Sequence, residues 1–167
     1  MRKILVGLLV LAISGCGAPQ KPEEKAVAQV PAEVATTTDS SSNYLRDGLE
    51  SLRQADIKAA IKSFDQAIKA SPQDLKGYVV LGQTYMRMKD YNRAIDTFSA
   101  ATRVAPDHGE VFYMLAVNYN LAGRKNEAVQ SAQRSIEIFR QNKDEDNFKK
   151  ALMLLQTIAQ PGQPQAD

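Results

Sequence analysis

The chain carries little that could do chemistry. It has one cysteine, Cys16, and one histidine, His108, in 167 residues. A single cysteine excludes an intramolecular disulfide. A single histidine, beside Asp107 in a predicted loop, supplies neither a triad nor a metal set, because both need several convergent groups. No HExxH, CxxC, GxSxG or glycine-rich phosphate loop occurs. Asp144, Glu145 and Asp146 lack the alternating ligands and glycine of a calcium loop and read as a solvated helix start. These absences argue against an enzyme, a cofactor, a metal and a small-molecule substrate. Charge of one sign is also missing. The formal charge is +2, and removal of Arg2 and Lys3 leaves 19 basic and 19 acidic residues. A nucleic-acid protein would need a basic stripe to neutralise phosphates.

Long apolar runs are absent too. The longest, Ile4 to Ile13, has about ten residues, against the ~20 that a membrane-spanning helix requires. With Arg2 and Lys3 before it, this segment reads as a secretory signal peptide over residues 1–15. It ends in Ile13-Ser14-Gly15-Cys16, which resembles the lipobox of bacterial lipoproteins. That resemblance implies a diacylglyceryl group on the Cys16 thiol, cleavage before Cys16, and often acylation of the new amino terminus. One acyl chain binds a membrane only reversibly, whereas two or three anchor it stably. Gly17 follows the cysteine where an aspartate could stand. In enteric-type bacteria that resembles the pattern sent to the outer membrane; a host with one membrane would carry the anchor on its outer face. Residues 16–42 hold Pro19, Pro22, Pro31 and a polar run but no aromatic residue or apolar period. They are expected to form a disordered linker of roughly 25–30 Å root-mean-square span. Residues 160–167, with Pro161, Gly162 and Pro164, are expected to fray.

What the chain does have is a 34-residue period. An aromatic recurs at Tyr44, Tyr78 and Phe112; a small residue at Gly48, Gly82 and Ala116; and alanine at Ala60, Ala94 and Ala128. Proline closes two units at Pro72 and Pro106. A period of this length means stacked helix pairs. Glycine inside a helix costs about 1 kcal/mol relative to alanine, so Gly48 and Gly82 imply close approach of a neighbouring helix. Tyr85, Phe98 and Tyr119 would fill the wider gaps. Helices are expected over residues 43–54, 57–70, 74–88, 91–104, 108–121 and 125–141. Asp74 and Asp107 are candidate caps for the helices that follow them. A seventh helix, 144–159, carries Phe148, Ala151, Leu152, Leu154, Leu155 and Ile158, with Lys149 and Lys150 facing away. It would cover the apolar face of the last repeat.

The pattern resembles the tetratricopeptide repeat, most fully in the second unit: Tyr78, Leu81-Gly82, Tyr85, Asp90-Tyr91, Ala94, Phe98, Ala101 and Pro106. The first unit keeps Tyr44, Gly48, Ala60, Phe64, Ala67 and Pro72, but has Asp47 and Ser51 where leucine and an aromatic are usual. The third keeps Phe112, Leu115-Ala116, Tyr119, Gly123 and Ala128, then departs at Ala132 and Arg140. The resemblance implies an all-α solenoid over residues 43–159, with repeats at about 41–74, 75–108 and 109–142. It also implies a groove lined by the first helix of each pair. The matching positions are Ser42, Leu45, Leu49, Leu52 and Arg53; Lys76, Val79, Gln83, Met86 and Arg87; and Glu110, Tyr113, Val117, Asn120 and Leu121. Some family members hold a terminal carboxylate with lysine and asparagine, but Leu45 and Leu49 stand at two of those positions. A partner-binding groove of Leu49, Lys76, Val79, Gln83, Met86, Arg87, Tyr113, Val117 and Asn120 is the expectation, with several of these side chains alternatively packed in the core. The expected role is a lipid-anchored envelope protein that binds or scaffolds protein or peptide partners, such as an assembly factor. The alternative is a structural protein that self-associates through residues 148–158.

Overall fold

A computed structural model describes residues 33–160. The expected signal peptide, Cys16, the linker up to residue 32 and the tail from residue 161 lie outside the described residues. Among the described residues seven helices follow one another: α1 (Glu33–Arg53), α2 (Ile57–Ala70), α3 (Leu75–Arg87), α4 (Tyr91–Val104), α5 (Gly109–Leu121), α6 (Lys125–Gln141) and α7 (Glu145–Ala159). Each packs on its neighbours in sequence, α1 on α2, α3 on α4 and α5 on α6 most extensively, and α7 covers α6 and touches α5. α1, α3 and α5 thus form one face of the stack, and α2, α4 and α6 the other.

Helix ends follow the period. α1, α3 and α5 close on left-handed residues 34 apart, Ala55 (φ 62°), Lys89 (φ 58°) and Gly123 (φ 75°). At each, the next amide donates to the carbonyl five residues back, as in Asp90 N to Tyr85 O at 3.0 Å and Arg124 N to Tyr119 O at 2.8 Å. α2 and α4 stop instead at Ser71 and Ala105, each followed by proline, which cannot continue a helix. Starts are capped by Asp56, Asp74, Asp90 and Asp144, whose carboxylates accept backbone N–H bonds.

Two expectations about ends need correction. Asp107 caps nothing: the slot one period after Asp74 is occupied by His108, and α5 begins without a side-chain cap. Residue type favours the aspartate, but the period places the cap one residue later. The linker expected to reach residue 42 also gives way earlier, because α1 begins at Glu33. No proline lies between Pro31 and Pro72 to interrupt it, and extending a formed helix costs far less than nucleating one. Ser41 is buried and donates to the Ala67 carbonyl at 3.3 Å, so this turn is part of the packed domain.

The core runs between the two faces. Ala60, Phe64, Leu81, Tyr85, Ala94, Ile95, Phe98, Ala101, Val111 and Leu115 form one buried cluster. Gly48 lies against the Phe64 ring, and a Cβ at Gly82 would sit 2.7 Å from Phe98 Cζ. In the third unit both partners change together, to Ala116 and Ala132, and Ile158, Leu154 and Leu155 of α7 pack on them. α7 therefore does what a terminal helix must, hiding the last apolar face from water.

Candidate functional site

The fifteen groove positions fall into five rows of three, each step being one period and one helix. The rows are Ser42, Lys76 and Glu110; Leu45, Val79 and Tyr113; Leu49, Gln83 and Val117; Leu52, Met86 and Asn120; and Arg53, Arg87 and Leu121. None of these residues is buried, whereas Gly48, Leu81, Gly82, Leu115 and Ala116 on the same helices are. The first helix of each pair thus turns one side to the core and the other outward. The first row is exposed and polar, the last carries two exposed arginines, and the rows between hold the apolar side chains.

Within that face the residues differ in how far they are free. Leu45, Leu52, Val79 and Met86 are partly buried and pack on the core with one side. For these four the packing reading holds in part. Leu49 is 49% exposed and Leu121 37% exposed, more than a packing role alone would leave. Arg53 reaches Glu50 at 3.4 Å. Among the described residues, Lys76, Arg87 and Glu110 have no charged partner. α5 is apolar on nearly every side, in Val111, Phe112, Tyr113, Met114, Leu115 and Val117. A helix of that kind is normally covered all round, yet Tyr113 and Val117 stand at the open face.

Asn118 is a residue that sequence reasoning passes over. It is fully buried where α5 meets α3; its amide donates to the Met114 carbonyl at 2.8 Å and to Met86 Sδ at 3.6 Å. Its Oδ1 accepts no bond from any described group. A signal exists, since Asn118 lies one period after Thr84, which makes the same bond to the carbonyl four residues back. Asn118 thereby ties the Met86 side chain of α3 to α5.

Shifted protonation lies away from the face, at the helix starts. The Arg93 hydrogen bonds hold the Asp90 carboxyl below its ordinary 3.8, and those from Asn147 do the same for Asp144. Arg93 also lies over the Tyr85 ring at 4.7 Å, and Arg124 over Tyr119 at the same distance. The two pairs are charge-reversed: Asp90 at the cap bonds Arg93, while Arg124 at the equivalent cap bonds Glu127. His108 is exposed at the start of α5. Among the described residues no three of His, Cys, Asp and Glu assemble as a metal site, and no helix is long and apolar enough to cross a membrane.

Residues 51–116 match one family model described as tetratricopeptide repeat, and residues 110–142 match a second with the same description. No curated protein matches the sequence. Among solved structures the chain is similar to the TPR2B domain of yeast Sti1 in its pHsp70 complex (TM-score 0.67, 15% identity, 74% of this chain and 99% of that one). It is also similar to the N-terminal domain of STI-1 from C. elegans (TM-score 0.63, 21% identity, 71% and 96%). A third similarity is to the type III secretion translocator chaperone SycD of Yersinia enterocolitica (TM-score 0.64, 15% identity, 72% and 92%). At these identities the likeness is one of fold.

Proposed function

Because residues 51–142 are tetratricopeptide repeats, we propose that the α1–α3–α5 face binds a segment of another protein and that the chain serves as a tethered adaptor. One observation carries this reading: none of the fifteen positions on these three helices is buried, and apolar rows, four of whose side chains also touch the core, lie between polar borders. Apolar side chains left at an open face of a rigid stack supply affinity for a partner, and the polar borders orient it. Several of the similar structures hold protein segments, including the pHsp70 complex of Sti1 and a TPR of Spaghetti (RPAP3) bound to an HSP90 peptide. The partner here differs in chemistry from a terminal carboxylate, because Leu45 and Leu49 occupy positions where a clamp would need polar groups.

The location belongs to the same proposal. The basic start, short apolar run and Ile13-Ser14-Gly15-Cys16 support export and lipidation of Cys16. With Gly17 next, they support the periplasmic face of an outer membrane, or the outer face of the membrane in a single-membrane host. An adaptor held there would work in assembling an envelope complex. Metabolic labelling with a radioactive fatty acid, lost in Cys16→Ser, tests the anchor.

The groove is tested by photocrosslinking in the native envelope from Leu49 and from Tyr113. A discrete partner captured at both sites, and lost with Leu49→Asp, is the expected result. Leu49 is half exposed, so this change spares the fold. Failure at both sites with an intact fold overturns the groove reading. A second reading, self-association through α7, rests on Met153, which is 66% exposed on that helix. A mass that stays monomeric across concentration removes it.

A further inference from the structure

The third unit departs from the first two at several positions, and the departures are linked. One period after the terminating prolines Pro72 and Pro106 stands Arg140, and α6 runs on to Gln141. It then closes on left-handed Lys143 (φ 58°), the kind of ending used elsewhere by the first helix of a pair. Phe139, which aligns with the helix-ending residues Ser71 and Ala105, is therefore carried inside a helix and buried. Its ring lies over Gly109, where a Cβ would come within 2.7 Å of Phe139 Cε1. The earlier units carry Ser41 and Leu75 at that position. The Ser135 hydroxyl donates to the Gly109 carbonyl at 3.0 Å and holds the two helices at this close approach.

The outcome is a cavity of about 130 Å³ between α5 and α7, lined by Glu110, Tyr113, Met114, Phe139, Asn147 and Lys150. Its size is close to the roughly 150 Å³ that accepts a benzene ring in an apolar interior. Its apolar lining is Phe139, Met114 and the Tyr113 ring. The rim carries one carboxylate and one ammonium, both exposed. Asn147 accepts from Lys150 Nζ at 3.1 Å and donates to Asp144 Oδ2 at 2.7 Å, so its amide is committed and it fixes Lys150 at the rim. Glu110 has no charged partner among the described residues, and it sits in the first turn of α5.

We propose that this cavity is the anchor subsite of the groove. It takes one side chain of leucine, methionine or phenylalanine size from the bound segment, with a basic residue on the Glu110 side and an acidic residue on the Lys150 side. This rests on the reading that the α1–α3–α5 face holds a protein segment, and it adds which end of that face anchors it and by what chemistry. Complementary charge on both sides of an apolar plug fixes the direction in which the segment lies.

Four of the chain's five methionines lie among the described residues and make the test direct. Met86 lies at the centre of the groove, Met114 in the cavity, Met88 beyond the end of α3 and Met153 on the outside of α7. The full chain, labelled with ¹³C at the methionine methyls, is titrated with eleven-residue Gly/Ser peptides. Each has a central Ala, Leu, Met, Phe or Trp, flanked by Lys and Glu in either order. The expected result is movement of the Met114 methyl, binding of the Leu, Met and Phe peptides at least about tenfold tighter than Ala, weaker binding of Trp, and one preferred charge order. Glu110→Lys and Lys150→Glu, both at exposed positions, should each weaken that order about threefold, and the two together should exchange the preference. Movement of Met86 with Met114 still would overturn the subsite and leave the groove reading standing. Equal binding of Ala and Leu peptides, indifference to charge order, or no movement of any methyl would each overturn it as well. The groove reading itself is then decided by the crosslink from Leu49.

Discussion

Replacing Gly82 by alanine should destabilise the domain, although alanine is the better helix former. The intrinsic gain is about 1 kcal/mol. Against it stands the Phe98 ring, whose Cζ, Cε2 and Cε1 would lie 2.7, 2.8 and 2.9 Å from the new Cβ. Carbon atoms meet comfortably at about 3.5–4.0 Å, so ring or backbone must shift by roughly 1 Å. Phe98 is fully buried and cannot swing into solvent. Overpacking of this kind costs about 1–3 kcal/mol, and a rigid enclosed ring places it at the upper end. The net loss is then about 2 kcal/mol, or about 8 °C in midpoint at roughly 4 °C per kcal/mol for a domain of this size. Urea and thermal melts of Gly82→Ala, Phe98→Leu and the double variant measure it. The smaller leucine side chain should accommodate the methyl, so the double should be at least about 1 kcal/mol more stable than the sum of the singles. A Gly82→Ala protein as stable as the parent, or a cycle that adds, would refute the steric account. The third unit already contains the compensated pair, Ala116 with Ala132.

The other predictions concern helix ends. Lys89→Gly and Ala55→Gly remove a Cβ from left-handed positions (φ 58° and 62°) and should each stabilise the domain by about 1 kcal/mol, read as a higher urea midpoint. His108→Asp supplies the cap that α5 lacks and should add about 1 kcal/mol; Arg124→Asp at the equivalent slot should gain less, because it gives up the Glu127 pair and the Tyr119 stack. Asp90 and Asp144 are held below 3.8 by hydrogen bonds to their ionised forms. A carboxyl with a depressed folded pKa stabilises above its unfolded value, and that contribution is lost as pH falls through the folded one. The urea midpoint should therefore be flat from about pH 7 to pH 5 and fall below about pH 4, with the acid slope blunted in Asp90→Asn/Asp144→Asn.

The repeat makes most of the fold legible. The bounds expected for α2, α4 and α6 are those observed, because each starts at a capping slot or ends at a signal fixed by the period. α1 is longer than expected because Thr36 to Ser42 is a polar, β-branched and serine-rich run. Composition reads such a run as linker, but here it extends a helix already nucleated by the packing of α1 on α2. α3, α5 and α7 each start one residue later than expected, because Asp74, His108 and Asp144 stand at the capping slot and not inside the helix. Periodicity outranks residue preference here, since the capping slot of α5 falls one period after Asp74, at His108.

The groove is legible as a set of positions but not as a surface. Counting by 34 sets out five rows, and none of their residues is buried. Counting cannot say that Met86 is tied to Asn118 beneath it while Leu49 stands free. Those distinctions arise from contacts between helices a full period apart. The cavity under Tyr113 is further still from sequence reach, because it needs three departures read together. Arg140 lets α6 continue, the extra turn carries Phe139 inward, and Gly109 makes room for its ring. Each taken alone looks like decay of the repeat at its end. Together they fit: Gly109 lies under the buried Phe139 ring, and the Ser135 hydroxyl donates to the Gly109 carbonyl. The residues of the third unit that depart from the repeat are therefore residues that fit one another, and they bound the cavity between α5 and α7.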